Sequence, residues 1–293
     1  MGKQLQMFGA DWTKRKLNIL TKYLAAYNTA LKNKPFTRVY VDAFAGTGYR
    51  ELRQREYHMP HLFEDVMQED AQRFLKGSAT RALEVKPGFH RYLFIEIDSA
   101  KAAELEKLKV KYPNQADRIQ VVCDDANKAV ADYCARENWR SVRAVMFLDP
   151  FATQVRWATI QKVAATKAVD LWYLFPLMAV NRLLARNPTK ACRDRLDEIL
   201  GGREWLPAFY GHRRRGFFPD PEGGVAKACN MQGIGDYFRS LLAGVFAGVA
   251  STRCVLENRR GSPLFQLFFA VGNPKPQAKD LALRIAEHLL KKM

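Results

Sequence analysis

The sequence predicts an α/β fold built on a doubly wound, mostly parallel sheet of seven strands that closes with an antiparallel hairpin. Two observations carry that expectation. Five short runs rich in β-branched and aromatic residues alternate with segments of helical periodicity long enough to be crossover connections. Two further strand-like runs near the end of the chain are separated only by a short, turn-rich link.

The elements follow in order. Asp11-Trp12-Thr13 reads as a capping segment ahead of Leu17, Leu20, Tyr23, Leu24, Tyr27 and Leu31, which recur at helical spacing, and the helix ends near Asn33-Lys34-Pro35. Buried strands are predicted at Val39 to Phe44, Tyr92 to Ile97, Ile119 to Val122, Ala144 to Leu148 and Val169 to Phe175. Helices are predicted between them at Ala79 to Val85, Ala100 to Tyr112, Asn127 to Glu137 and Val155 to Thr166. Cys254 to Glu257 and Leu264 to Val271, joined by Asn258-Arg259-Arg260-Gly261-Ser262-Pro263, form the hairpin, and a helix over Gln277 to Lys292 follows. With no internal repeat, the 293 residues read as a single domain, 1–293. Its N-terminal helix lies within 1–34, and it carries insertions at 50–76 and 181–230.

Composition narrows the function. Hydrophobic residues make up 48% of the chain, enough for a sizeable core and too many for a disordered one. The net charge of +17 favours a polyanionic partner, and nucleic acid is the expected one. The longest apolar run, Leu241 to Ala250, is far short of the roughly 20 residues of a membrane span, so no membrane partner is expected. The start, Met1-Gly2-Lys3-Gln4-Leu5-Gln6, lacks a secretory apolar region and has Gln where a myristoylation motif needs Ser or Thr; a cytoplasmic location is expected. The five cysteines, Cys123, Cys134, Cys192, Cys229 and Cys254, are scattered and odd in number, which suits small buried hydrophobes better than disulfides or a zinc knuckle. His58 and His61 have a spacing a metal could use but no third ligand nearby, so no metal is expected. Between Asn181 and Arg215, nine basic residues stand against four acidic ones, with Arg182, Arg186, Arg213, Arg214 and Arg215 as the nucleic-acid-binding candidates. A solvated basic surface would read the same way.

In a doubly wound sheet, ligands bind in the crevice outside the carboxyl ends of the strands. The first strand runs into Asp42-Ala43-Phe44-Ala45-Gly46-Thr47-Gly48, whose two glycines permit a sharp turn close to a ligand; a plain strand-to-helix turn fits equally. Glu96 and Asp98 end the second strand, where an acid can accept from both hydroxyls of a ribose. Asp124 and Asp125 follow the third, where an adenine amino group could donate. Each acid could instead cap the helix that follows. The fourth strand ends in Asp149-Pro150-Phe151: a carboxylate, a carbonyl on a fixed backbone and an aromatic ring, able to receive the amino group of a planar base and stack it. A strand stopped by a proline turn is the alternative.

These segments, in this order on these strands, resemble the S-adenosylmethionine-dependent methyltransferases, whose seven-stranded, Rossmann-like sheet also has an antiparallel last strand. More narrowly, the chain resembles the bacterial three-Cys-motif partner protein family. That likeness lies in Trp12-Thr13 with Lys16-Leu17, Asp42 to Gly48, Gly77-Ser78, Leu148-Asp149-Pro150-Phe151, and Asp170-Leu171-Trp172 through Phe175-Pro176. It covers residues 12 to about 180 and, weakly, Pro263 to Ala270. The resemblance implies S-adenosylmethionine as cofactor and a three-Cys-motif protein as partner. It implies cofactor contacts at Asp42, Phe44, Gly46, Thr47, Gly48 and Ser78, with Asp42, Phe44, Gly46 and Gly48 at the methionine end. It also implies Glu96 on the ribose, Asp125 near the adenine, and Asp149, Pro150 and Phe151 at the methyl acceptor.

The expected activity is methyl transfer to an exocyclic amino group of nucleic acid. Asp149-Pro150-Phe151 has one proline where amino-methyltransferases of adenine or cytosine usually show two. That keeps open a second expectation, a methyltransferase-like protein that binds nucleic acid or its partner without turnover.

Overall fold

The computed structural model describes residues 9–45, 77–212, 214–215, 218–219, 225–258 and 261–292. Helix α1 (Gly9–Ala30) leads into a regular alternation: β1 (Thr37–Asp42), α2 (Ser78–Glu84), β2 (Arg91–Glu96), α3 (Ser99–Lys111), a 3-10 turn (Pro113–Arg118), β3 (Ile119–Cys123), α4 (Ala126–Arg136), β4 (Val142–Leu148), α5 (Trp157–Ala165) and β5 (Val169–Phe175). Next come α6 (Leu177–Leu183), α7 (Lys190–Leu200), α8 (Trp205–Phe209), and four strands of two or three residues: β6 (Tyr210–His212), β7 (Arg214–Arg215), β8 (Phe218–Pro219) and β9 (Val225–Lys227). Helix α9 (Met231–Val245), β10 (Gly248–Val249), β11 (Cys254–Glu257), β12 (Pro263–Val271) and α10 (Pro276–Lys291) complete the chain as described.

The main sheet runs β3-β2-β1-β4-β5-β12, with β10 and β11 both pairing to β12 at the far edge. Strands β1 to β5 are mutually parallel, and β12 lies antiparallel beside β5. This is a doubly wound, Rossmann-like sheet with one reversed strand set between β5 and the edge. The chain leaves β1 toward β2 and β3, then returns to β4 and β5 on the other side. The switch point therefore falls between β1 and β4, where such sheets open a crevice at the strands' carboxyl ends.

Residue alternation sorts the core into two layers. Val39 and Val41 pack with Met146, Leu148, Ile160 and Phe238 under α4, α5 and α9. Tyr40 packs with Phe94, Phe147, Trp172 and Phe269 on the other face, beneath α1, where Leu17, Leu20, Tyr23 and Leu24 supply the buried stripe. Each such large side chain buried stabilises the fold by roughly 1.5–3 kcal/mol.

Several expectations are corrected. The described helix α1 begins at Gly9, so Asp11-Trp12-Thr13 lie inside it and not ahead of it. Strand β1 stops at Asp42, because Ala43 to Ala45 already turn away. Only Cys254 is buried; Cys123 is exposed and Cys134, Cys192 and Cys229 are half-buried, all free thiols. Helices α6, α8 and α9 and the strands β6 to β10 were not anticipated. Two- and three-residue strands are too short to show alternation, and the apolar run from Leu241 combines the end of α9 with β10. The segment 50–76, with His58 and His61, lies outside the described residues. No helix among them is long and apolar enough to cross a membrane.

Candidate functional site

Register brings three acids to one face of the sheet. Asp42 pairs with Phe94 of β2 and Phe147 of β4, and a period of two residues then sets Glu96 and Asp149 on the same side, the side that α1 covers. All three are buried: Asp42 fully, Glu96 and Asp149 to within a few per cent.

Asp42 is the least satisfied of them. Its Oδ2 accepts from the Tyr40 hydroxyl at 3.2 Å, while Oδ1 has no hydrogen-bond partner among the described residues. Burial pushes its pKa up to about 7, and the nearby Asp149 adds to that; Ser78 and Tyr40 work against it. Ser78, at the start of α2, is equally buried, and its Oγ has no hydrogen bond in good geometry despite lying near enough to Asp42 to favour the ionised form. Both atoms keep hydrogen-bonding capacity to spare, as do seven other buried side-chain atoms among the described residues.

Glu96 Oε1 accepts from the Asp98 N–H at 2.8 Å, which holds the carboxylate at the strand's end. Burial raises its pKa to about 6, against the Asp98 N–H and Lys101. Asp98 itself caps α3 through the Ala100 and Lys101 N–H groups. Asp125 is exposed and caps α4, accepting from the Lys128 N–H at 3.0 Å, and Asp124 pairs with Lys128. Of the third strand's acids, Asp125 thus serves as a cap.

Asp149 receives a buried ion pair that sequence reasoning did not assign. Lys16 Nζ, from α1, donates to Asp149 Oδ2 at 2.8 Å, with both side chains almost fully buried. A signal existed: Lys16 lies four residues before Leu20 and therefore on the apolar stripe of α1, where a charge needs a partner. Beyond Asp149, Pro150 is buried and Phe151 half-buried. Ala152 then takes a φ of 53°, a left-handed conformation unusual for a residue with a Cβ and costly by about 1 kcal/mol or more.

Polar contacts hold that turn in place. The Phe151 N–H donates to Gln154 Oε1 at 2.9 Å, and Asn127 Nδ2 to the Gln154 carbonyl at 3.0 Å. Asn127 Oδ1 in turn accepts from the Arg156 N–H and the Thr159 hydroxyl. From α7, Arg195 Nε donates to Thr153 Oγ1 at 3.2 Å. The segment after β4 is thus braced from α4, α5 and α7, which suits a platform that must keep its shape.

The remaining predicted residues are dispersed. Phe44 is half-buried at the turn after β1. Gly46, Thr47, Gly48 and Arg213 lie outside the described residues. Arg182, on α6, and Arg186 after it are exposed, and Arg214 and Arg215 form β7, paired with β8. Elsewhere in the basic stretch, Arg195 pairs with Glu198 and Arg203 with Asp197, so part of its charge is neutralised internally. Among the described residues no cluster of metal-ligating side chains occurs.

No family model and no curated protein matches the chain. Solved structures similar to it include protein LPL1258 of Legionella pneumophila, at 13% identity over 92% of this chain and 89% of that one, with a TM-score of 0.43. An O-methyltransferase of Bacillus cereus, solved in complex with SAH, is similar at 11% identity over 86% and 80%, with a TM-score of 0.38. A putative methyltransferase of Escherichia coli, yhhF, is similar at 12% identity over 85% and 86%, with a TM-score of 0.32. The strand order of this chain, and not these superpositions, defines its fold.

Proposed function

We propose that the protein is an S-adenosylmethionine-dependent methyltransferase acting on an exocyclic amino group of nucleic acid, in company with a three-Cys-motif partner. The observation that carries this reading is the pair of buried atoms with no hydrogen bond in good geometry, Asp42 Oδ1 at the switch point of the sheet and Ser78 Oγ, with Glu96 at the end of the neighbouring strand β2. They suit a ligand that brings an ammonium and hydroxyl groups. Asp42 and Ser78 would hold its amino-acid end, and Glu96, with one oxygen fixed by the Asp98 N–H, would receive ribose hydroxyls. Bound there, S-adenosylmethionine would supply an electrophilic methyl group for in-line displacement.

The chain's own residues would then position and stabilise. With Lys16 on Oδ2, Asp149 would offer Oδ1 to an acceptor amino group, orienting its lone pair and offsetting the charge that develops on nitrogen. Phe151, on its braced turn, would stack the base, worth about 1–3 kcal/mol. The net charge of +17 supports a polyanionic acceptor. Lys16 also favours a second reading: an ammonium already on Asp149 opposes positive charge forming beside it, as in a protein that binds without turnover.

Calorimetric titration of the full chain with S-adenosylmethionine tests the proposal, followed by transfer of labelled methyl groups to nucleic acid. Binding by the wild type and its loss in Asp42→Asn and Glu96→Gln are expected. Asp149→Asn should bind but not transfer. Failure of the folded wild type to bind would overturn the reading, and binding with no transfer, partner present, would leave the silent protein.

A further inference from the structure

A second concave site lies at the other end of the sheet. Lys86, in the loop before β2, Lys111 and Tyr112 at the end of α3, and Asn114, Gln115 and Arg118 of the 3-10 turn line a cavity of about 350 Å³. These segments precede the amino ends of β2 and β3, so the cavity opens away from Asp42 and Asp149.

Its lining gathers three cations and no acid in one concavity. Along α3, Lys107 pairs with Glu104 and Lys109 with Glu106; nearby, Arg91 pairs with Glu137. Lys86, Lys111 and Arg118 form no ion pair among the described residues, and no acid lines the cavity. Lys111 instead lies over the Tyr112 ring, 5.3 Å from its centroid. Glu84, which is not among the lining residues, accepts from the Tyr112 hydroxyl at 2.9 Å. Gln115 Nε2 donates to the Leu83 carbonyl at 3.2 Å, which fixes the turn against α2.

Three cations lining one concavity repel each other, and an anion among them would relieve that repulsion. A guanidinium with two ammonium groups suits a phosphate, which offers several acceptor oxygens and more than one charge. A volume of about 350 Å³ also admits part of an attached nucleoside. We propose that the Lys86, Lys111 and Arg118 cavity is a phosphate-binding site, taking the phosphate of a nucleotide or of a polynucleotide chain. It stands whether or not the chain transfers methyl groups.

The test uses the full chain and three probes: inorganic phosphate and adenosine monophosphate by calorimetry, and a labelled single-stranded oligodeoxynucleotide by anisotropy over a range of salt. Two variants are compared with the wild type. One carries Lys86→Ala, Lys111→Ala and Arg118→Ala together. The other removes the same charge at the ends of α10, through Lys275→Ala, Lys291→Ala and Lys292→Ala, which are exposed at the far side of the sheet. The cavity variant should lose about tenfold or more in affinity for at least one probe, with the α10 variant close to wild type. Loss for the oligonucleotide, with a salt slope shallower by about 0.7 per phosphate released, would identify a chain phosphate. Loss confined to the small probes would identify a free phosphate or nucleotide. Equal losses in both variants, no loss in either, or no binding of any probe by the wild type would overturn the proposal.

Discussion

Asp42 and Asp170 stand at opposite ends of one sheet, and burial pushes the pKa of each to about 7. Asp42 closes β1 at its carboxyl end, and Asp170 is the second residue of β5, at its amino end. Their hydrogen bonding differs. Asp170 Oδ2 accepts from the Tyr23 hydroxyl at 2.7 Å, with the Gly272 N–H and Arg143 also favouring its charged form. Asp42 has a longer bond to Tyr40, with Ser78 and the Phe44 N–H also favouring its charged form, and an oxygen that makes no hydrogen bond in good geometry among the described residues. A perturbed pKa alone therefore does not mark a functional group; what separates these two is hydrogen bonding. Asp170 is a structural tie, and Asp42 is the residue left open.

Helix α1 serves both ends. Lys16 reaches Asp149 at the carboxyl end and Tyr23 reaches Asp170 at the amino end; seven residues, or about 10 Å of helix, separate them. If the carboxyl end holds the costlier arrangement, breaking its tie should hurt most. Lys16→Met leaves Asp149 buried with no counter-ion and should destabilise the protein by about 3–5 kcal/mol in urea unfolding. The double variant Lys16→Met/Asp149→Leu should recover most of that loss. Equal instability of single and double variants would show that the pair matters through packing and not through charge.

The next effect tests Asp42 itself. Its folded pKa is raised, so its contribution is fully present below the ordinary value of 3.8 and is lost as pH climbs through about 7. That interval corresponds to on the order of 4 kcal/mol at most. Asp42→Asn, which cannot ionise, should match the wild type near pH 4 and exceed it in stability at pH 9, while losing S-adenosylmethionine. Unfolding midpoints at the two pH values check this; a variant no more stable at pH 9 would mean that the carboxylate is well compensated when charged.

What the sequence disclosed follows from local physics. The β-branched runs and their spacing reveal the parallel strands, and the acids at or just past the strands' carboxyl ends are Asp42, Glu96 and Asp149. Less visible were arrangements that depend on distant partners. Lys16 and Asp149 are 133 positions apart, and the pairing shows only once α1 is laid across the sheet. Asp125 has the residue type for either a ligand or a cap, and its capping bond from the Lys128 N–H at 3.0 Å shows only once the chain is folded. Arg195 counts toward a basic patch by composition, whereas it braces Thr153 and pairs with Glu198. Net charge in a segment says how many cations there are, not how many are free.

The smallest effect sharpens the amino end. Tyr23→Phe removes the hydroxyl from Asp170 and keeps the ring that packs on Trp172 and Phe269, at centroid distances of 5.2 and 4.9 Å. The expected cost is about 1–2 kcal/mol, because a neutral acid can replace the lost stabilisation by staying protonated. Since the hydroxyl favours the ionised carboxyl, its removal should raise the pKa of Asp170 further. The destabilisation should therefore be slight near pH 5, where Asp170 is protonated with or without Tyr23, and grow toward pH 9, where the wild type would otherwise ionise. That dependence has a sign that sets it against Asp42→Asn, which gains on the wild type over the same range. A loss from Tyr23→Phe that is flat with pH would place the bond's value in packing geometry, and the contrast between a satisfied and an unsatisfied carboxylate would then rest on Asp42 alone.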